Sequence, residues 1–355
     1  MLYRECGVYR TSYAQDATLF PLPADRLGTA VLVLAAVLLP PVLGTYWLRG
    51  ILIPFLIFSL AALGLNFLTG YAGLLSLGQS AFMAVGAYAG VILYGRYAVP
   101  LPLALLGAGL VACAVGAVAG TPSLRIKGFY LAVATLAAQF LITWTIQHVR
   151  WISGGVFATI NTPTVRIGGL VLDSALGQYY LALAVVALLT VFGMNLARSR
   201  IGRAWMAIRD RDIAAEIIGI RLLKYKVMAF VVSAFYAGVA GALVVFCWYG
   251  SANIEEFDLV NSVRILGMVI IGGMGSVLGS FLGAGFVTLL PILVSVTVHR
   301  LGALGGGPAV NGVISSLEDL IFGTMIVLFL VLEPLGLARL WKTIKDYLRL
   351  WPFAY

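Results

Sequence analysis

Arg209, Asp210, Asp212 and Glu216 form the densest mixed-charge group in a chain otherwise poor in charge, within Gly202–Ile220, GRAWMAIRDRDIAAEIIGI. Trp205, Arg209, Asp212 and Glu216 recur at i, i+4, i+7 and i+11, so one continuous helix would carry a ring and charges of both signs on one face. Asp212 could equally cap a short second helix, Ile213–Ile218, ended by Gly219. Two chemistries are open: a solvated helix lying on a membrane, or a docking element for a cytoplasmic partner. A membrane-surface helix prefers a cleanly basic polar face. The interleaved Asp210, Asp212 and Glu216 fit a protein partner better.

Nothing else in the sequence assembles a reaction. The two histidines, His148 and His299, are far apart, and no metalloprotease, phosphate-loop or nucleophile-elbow motif accompanies them. Cys6, Cys113 and Cys247 have no metal-ligand spacing and read as unpaired thiols. Glu333 precedes Pro334 and reads as a helix-end residue. No catalytic, cofactor or metal residues are assigned. Ion-coupled carriers need ionisable residues at membrane depth. None is read at membrane depth, which implies that the driving energy comes from elsewhere.

Two glycine-rich segments are candidates for broken or re-entrant helices. The first is Thr69–Gly90, with Gly73, Gly78, Ser76, Gln79 and Ser80; the second is Gly267–Gly285, with Gly272, Gly273, Gly275 and Gly279. Small residues let helices approach closely in lipid, and buried polar side chains satisfy backbone groups freed by a bend. GLLSLG and GSVLG are weakly alike, which suggests an internal inverted repeat with a path at its interface. Asn66, Thr135, Gln139, Thr143 and Ser233 lie in other apolar runs. These, with Ser76 and Gln79, could line a polar path or could make interhelical hydrogen bonds worth about 0.6–2 kcal/mol.

The elements that position these residues are membrane spans. The chain has 355 residues, 61% hydrophobic and 10% charged. Ordinary soluble domains are about 45–50% apolar and about 25% charged. Apolar runs near 27–47, 51–69, 72–94, 99–120, 128–147, 178–197, 227–249, 262–274, 277–297 and 315–333 follow one another. Most are long enough to cross a hydrocarbon layer of about 30 Å; 262–274 is short and reads as a half-helix. The fold class is therefore all-α, a polytopic helical membrane protein of about nine or ten segments. Residues 1–26 read as a polar cytoplasmic leader, 27–340 as one membrane domain containing the loop 198–226, and 341–355 as a cytoplasmic tail.

The net charge of +9 follows the positive-inside rule rather than nucleic-acid binding. With the N-terminus inside and one crossing per span, the basic residues of the leader, Arg125 and Lys127, the run from Arg198 to Lys226, and Arg339, Lys342, Lys345 and Arg349 all fall inside. Only Arg49, Arg96, Arg150, Arg166, Arg264 and Arg300 fall outside. Both termini are thereby expected inside.

Asn66–Gly90, Arg203–Gly241, Met268–Gly285 and Ser316–Leu340 together resemble the branched-chain amino acid ABC importer permeases, over about residues 50–340. Within that family the chain is similar to the longer of the two permease types. The resemblance implies a bacterial inner-membrane location and no cofactor in this chain, with ATP and Mg bound by partner subunits. It implies as partners a second, homologous permease, two cytoplasmic ATP-binding subunits and a periplasmic substrate-binding protein. Ala214-Ala215-Glu216 with Gly219 resembles the family's coupling motif, so Arg209–Gly219, with Asp210 and Asp212, would transmit ATP-driven motion. The tail LRLWPFAY and the long leader depart from the pattern. Related members handle urea, amides, aromatic acids and other small solutes, so the substrate class stays open. A stand-alone channel or secondary transporter would need no docking loop.

Overall fold

The computed structural model describes residues 11–12, 23–123, 128–154, 159–163, 165–167, 170–171, 174–302 and 336–350, with isolated positions between 320 and 331. It is a helical bundle. Helix α1, Pro23–Leu38, is followed by a Pro40-Pro41 turn. The long α2, Thr45–Tyr71, then runs unbroken through the position where the sequence suggested a cut between spans at 47–51. Proline at the second position of its Ile53–Asn66 section is tolerated, because the preceding π turn supplies the geometry. The last turn of α2, Phe67–Tyr71, is again a π-helix.

Residues 72–78 are non-helical, so α3 begins only at Gln79 and ends at Gly95. The expected span 72–94 is thus a re-entrant stretch plus a shorter helix. Helices α4, Leu101–Ser123, and α5, Phe129–His148, follow. Next come the strands β1, Thr159–Asn161, β2, Arg166–Ile167, and β3, Leu170–Val171. Helix α6, Ala175–Arg198, leads to α7, Arg200–Asp210, and α8, Asp212–Ile217. Helix α9, Leu222–Tyr249, also closes on a π turn, Val244–Tyr249. β4, Ser251–Asn253, α10, Leu259–Gly272, and α11, Val277–Gly302, complete the bundle. Helix α12, Gly336–Leu350, straddles the expected boundary between membrane domain and tail. The expected span 315–333 lies largely outside the described residues.

Among the described residues, five helices are long and apolar enough to cross a membrane, and four shorter apolar helices accompany them. α2 and α9 form the centre, with 83% of their most apolar windows buried, against 28% for α5 and α6. The central helices are held close by glycine. A Cβ on Gly86 of α3 would fall on the backbone of Gly238 in α9, and one on Gly241 would fall on that of Met83. Such contacts give dispersion energy where lipid removes the hydrophobic drive between helices. α1 is pinned from outside this core: Tyr179 and Tyr180 of α6 donate to the carbonyls of Ala36 and Val37 at 2.9 and 2.8 Å.

The two ends of the bundle are distinct. At one end β1 pairs with β4 in antiparallel register, Thr159 opposite Asn253. At the other end lie α7 and α8. A long helix with a π end, a stretch without α-helix and a short helix occurs twice, at 45–95 and at 222–272. The two copies run in opposite directions, since α2 finishes at the α7 end and α9 starts there. This corrects the register of the repeat: the GLLSLG stretch corresponds to residues 250–258 after α9, not to GSVLG.

Candidate functional site

Two neighbouring constructions could do work: a clamp at the α7 end and a polar knot at mid-depth. The clamp begins at Ser199, whose Oγ accepts from the amides of Ile201 and Gly202 and so starts α7. One turn on, Trp205 is fully buried, donates from Nε1 to the carbonyl of Tyr225 at 2.8 Å and packs on Phe67, with ring centres 6.2 Å apart. Arg209 follows at i+4 on the same face and donates from Nη1 to the carbonyl of Gly70 at 2.9 Å. Its guanidinium also meets the Asp210 carboxylate at 3.2 Å, a half-exposed pair of little energetic weight.

The helix then breaks. Arg211 is extended, with φ −156° and ψ 104°, and α8 starts afresh with the Asp212 carboxylate accepting from the Ile213 amide at 2.9 Å. The single-face reading of Trp205, Arg209, Asp212 and Glu216 is therefore corrected. Trp205 is buried in the core, Arg209 reaches Gly70 from a half-exposed position, and the last two lie on a separate helix. The alternative reading, a short helix started near Asp212 and ended by Gly219, matches the structure. Gly219 has φ +91°, and the Ile220 amide reaches back to the Ala215 carbonyl at 2.9 Å.

On α8, Ala215 is buried, while Ala214 and Glu216 are exposed. Ile213, Ile217 and Ile218 are 68%, 80% and 74% exposed. Three open isoleucines, two on one short helix and one directly after it, form an apolar patch of the kind that marks a contact surface. The sequence reading fixed on the charges here and passed over the isoleucines. Their spacing, i, i+4 and i+5, was the available signal.

The clamp also holds both glycine-rich segments. Asn66 donates from Nδ2 to the carbonyl of Ser276 at 2.7 Å and to Ser280 Oγ at 2.9 Å, and its Oδ1 accepts from the Gly275 amide at 2.8 Å. Gly73, Gly273 and Gly275 have φ of +70°, +114° and +79°, where a side chain would be strained. Gly272 and Gly279 face one another across the α10–α11 turn, and a Cβ on Gly78 would come within 2.9 Å of the Thr135 carbonyl oxygen.

The knot lies deeper. Gln79, the first residue of α3, donates to the Ala61 carbonyl at 3.2 Å and accepts from Ser233 Oγ at 3.1 Å. Ala61 precedes the end of α2 by ten residues, roughly 15 Å of helix, so α3 begins well inside the bundle. α10 begins there too: the Ser80 amide donates to Ser262 Oγ at 2.9 Å. The short 262–274 run is accordingly a helix that starts internally. Gln139 of α5 ties both starts together. Its Oε1 accepts from the Ala81 amide and from Ser262 Oγ, at 2.8 and 3.2 Å, and its Nε2 donates to the Phe257 carbonyl at 3.0 Å. Thr135 Oγ1 accepts from the Leu77 amide at 2.9 Å, and Ser76 Oγ accepts from the Gly78 amide at 3.3 Å. Asn66, Ser76, Gln79, Thr135, Gln139 and Ser233 are thus all buried, and each makes hydrogen bonds within the protein.

Arg264 departs from the sequence reading. It had been placed in an outer loop, but it lies on the second turn of α10, inside the bundle and half-buried. The short run 262–274 thus carries an arginine within a helix of the bundle. A lone charge inside NSVRILGMVIIGG was the signal.

The family model described as branched-chain amino acid transport system / permease component matches residues 48–330. The chain is similar to the high-affinity branched-chain amino acid transport system permease protein LivM of Escherichia coli K12, 34% identical, and of Salmonella typhimurium, 32% identical. Each match covers 64% of this chain and 59% of the relative. It is 28% identical to the fructose import permease protein FruG of Bifidobacterium longum, over 79% of each chain. The chain thus spans about three-fifths of the length of the LivM relatives. No solved structure matches. The breadth of the family match, laid over a bundle with two internally started helices, makes the chain a member of the branched-chain amino acid transport system permease component family.

Proposed function

We propose that the chain is a transmembrane permease subunit of an ATP-driven importer for branched-chain or related small amino acids. In this reading it pairs with a homologous permease, docks two cytoplasmic ATP-binding subunits that carry ATP and Mg, and accepts solute from a periplasmic binding protein. It sits in the bacterial inner membrane, with the α7–α8 end, the leader and the tail in the cytoplasm. The basic run from Arg198 to Lys226 supports that orientation.

One observation carries the proposal. α8 offers an exposed isoleucine patch to a partner, while α7, directly before it, is locked to the core by Trp205 and Arg209. A push on Asp212–Gly219 therefore reaches Gly70 and, through Asn66, the α10–α11 turn. Rigid coupling of this kind lets nucleotide-driven closure of the ATPases move the helix breaks. Asn66, Ser76, Gln79, Thr135, Gln139 and Ser233 hold those breaks beside the solute path.

Reconstitution tests this. ATP-binding subunits should co-purify with the wild-type chain, and leucine uptake into proteoliposomes should require ATP. Glu216→Lys should impair assembly or coupling while leaving membrane insertion intact. Uptake at the wild-type rate by this chain alone, without ATP, would refute the reading.

A further inference from the structure

Neither the clamp nor the knot uses α12. Within its 15 residues, Leu337, Leu340, Trp341, Ile344 and Tyr347 recur at i, i+3, i+4, i+7 and i+10, which puts them on one face of the helix. Arg339 and Lys342 fall on the other face and are exposed. By sequence the helix carries four basic residues, Arg339, Lys342, Lys345 and Arg349, against one acidic residue, Asp346. That is the cleanly basic polar face which α7 and α8 lack. The start of the helix is fixed to the bundle. Gly336 has φ +73°, and a Cβ there would come within 2.6 Å of the Gly273 backbone. Leu337 packs on the core. Beyond it the apolar face opens, and Leu340, Trp341, Ile344 and Tyr347 are all exposed. Gly273 belongs to the α10–α11 turn that Asn66 holds, so α12 leaves the bundle at the α7 end, the end with the basic run from Arg198 to Lys226.

Four large apolar side chains open along one helix face mark a contact surface. The helix is too short to span, since 15 residues rise about 22 Å against about 30 Å of hydrocarbon. Its charge identifies what covers it. A basic face opposite Leu, Ile and Trp matches an anionic lipid surface, and Trp and Tyr favour the headgroup level. We propose that α12 lies in the headgroup layer and binds anionic lipid there, with Leu340, Trp341, Ile344 and Tyr347 inserted below the phosphates and Arg339 and Lys342 paired with them. The proposal goes beyond the permease reading: it concerns the lipid, whatever the solute and whichever subunits assemble with the chain.

The test is amide hydrogen exchange, read by mass spectrometry, of the purified full-length chain in two kinds of nanodisc. One is phosphatidylcholine alone; the other is phosphatidylcholine mixed equally with phosphatidylglycerol. Exchange over Leu340–Tyr347 should be slower in the anionic discs, by about fivefold for each basic side chain engaged. High salt should shrink the difference. The double variant Arg339→Gln/Lys342→Gln should lose it. Ile344→Asp should speed exchange of α12 in both discs by removing an apolar anchor, while exchange in α2 and α9 stays as in the wild type. The comparison of the two lipids needs no variant, so it decides the matter even if a variant fails to fold. Equal exchange in the two discs, a difference that survives in the double variant, or an Ile344→Asp helix as protected as the wild type would each overturn the proposal. So would protection that appears only when ATP-binding subunits are added and is the same in both discs, because a protein then covers the face.

Discussion

Arg209 Nη1 donates to the carbonyl oxygen of Gly70 at 2.9 Å, joining residues 139 positions apart. The carbonyl belongs to the π turn that ends α2. A hydrogen bond with a charged donor contributes about 1.5–3 kcal/mol. Arg209→Met should therefore destabilise the protein by about that much and cut uptake more than it cuts ATP hydrolysis. Transport and hydrolysis measured on the same reconstituted preparation give the ratio. An unchanged ratio would show that this bond carries no motion.

Ile217 is 80% exposed and Ile213 68%, so neither supports the fold of the isolated chain. Ile217→Asp should change the free energy of unfolding by less than about 0.5 kcal/mol, as ordinary surface substitutions do. Co-purification of the ATP-binding subunits should fall sharply. Pull-down and thermal unfolding of the same sample separate the two effects.

Gln139→Leu removes three bonds at once, those to Ala81, Ser262 and Phe257. Each buried group left unpaired costs about 1–3 kcal/mol. The expected result is faster amide hydrogen exchange at residues 79–82 and 257–262, where α3 and α10 begin, with α4 and α6 unaffected.

Gly86→Val should be severely destabilising, because its Cβ would meet the backbone of Gly238 and backbone cannot swing aside. Overpacking costs typically about 1–3 kcal/mol and more where main chains touch. Gly50→Ala, with nothing within 4 Å of the added carbon, is the matched control and should melt like the wild type. Detergent melting curves of the two variants check the contrast.

The hydrophobic runs made the helices legible, because span length follows directly from bilayer thickness. The short run at 262–274 also announced its internal start. What stayed hidden had specific causes. Residues 72–78 are as apolar as a span, and only positive φ at Gly73 and the Thr135–Leu77 bond show that they leave the helix. The turn at Arg211 breaks a periodicity that would otherwise have continued, since arginine carries no stop signal. Asn66, Gln79 and Gln139 stood out as polar, yet their partners lie up to 214 residues away, a distance no local pattern encodes.

Both re-entrant stretches hang from π turns, Phe67–Tyr71 and Val244–Tyr249, at opposite ends of the bundle. A π turn holds more chain per revolution than an α turn. Each central helix therefore stores a little spare length where it gives way to the loop. That length lies where the chain leaves each pillar, so the loop that follows is joined to it by the least tightly wound turn of the helix.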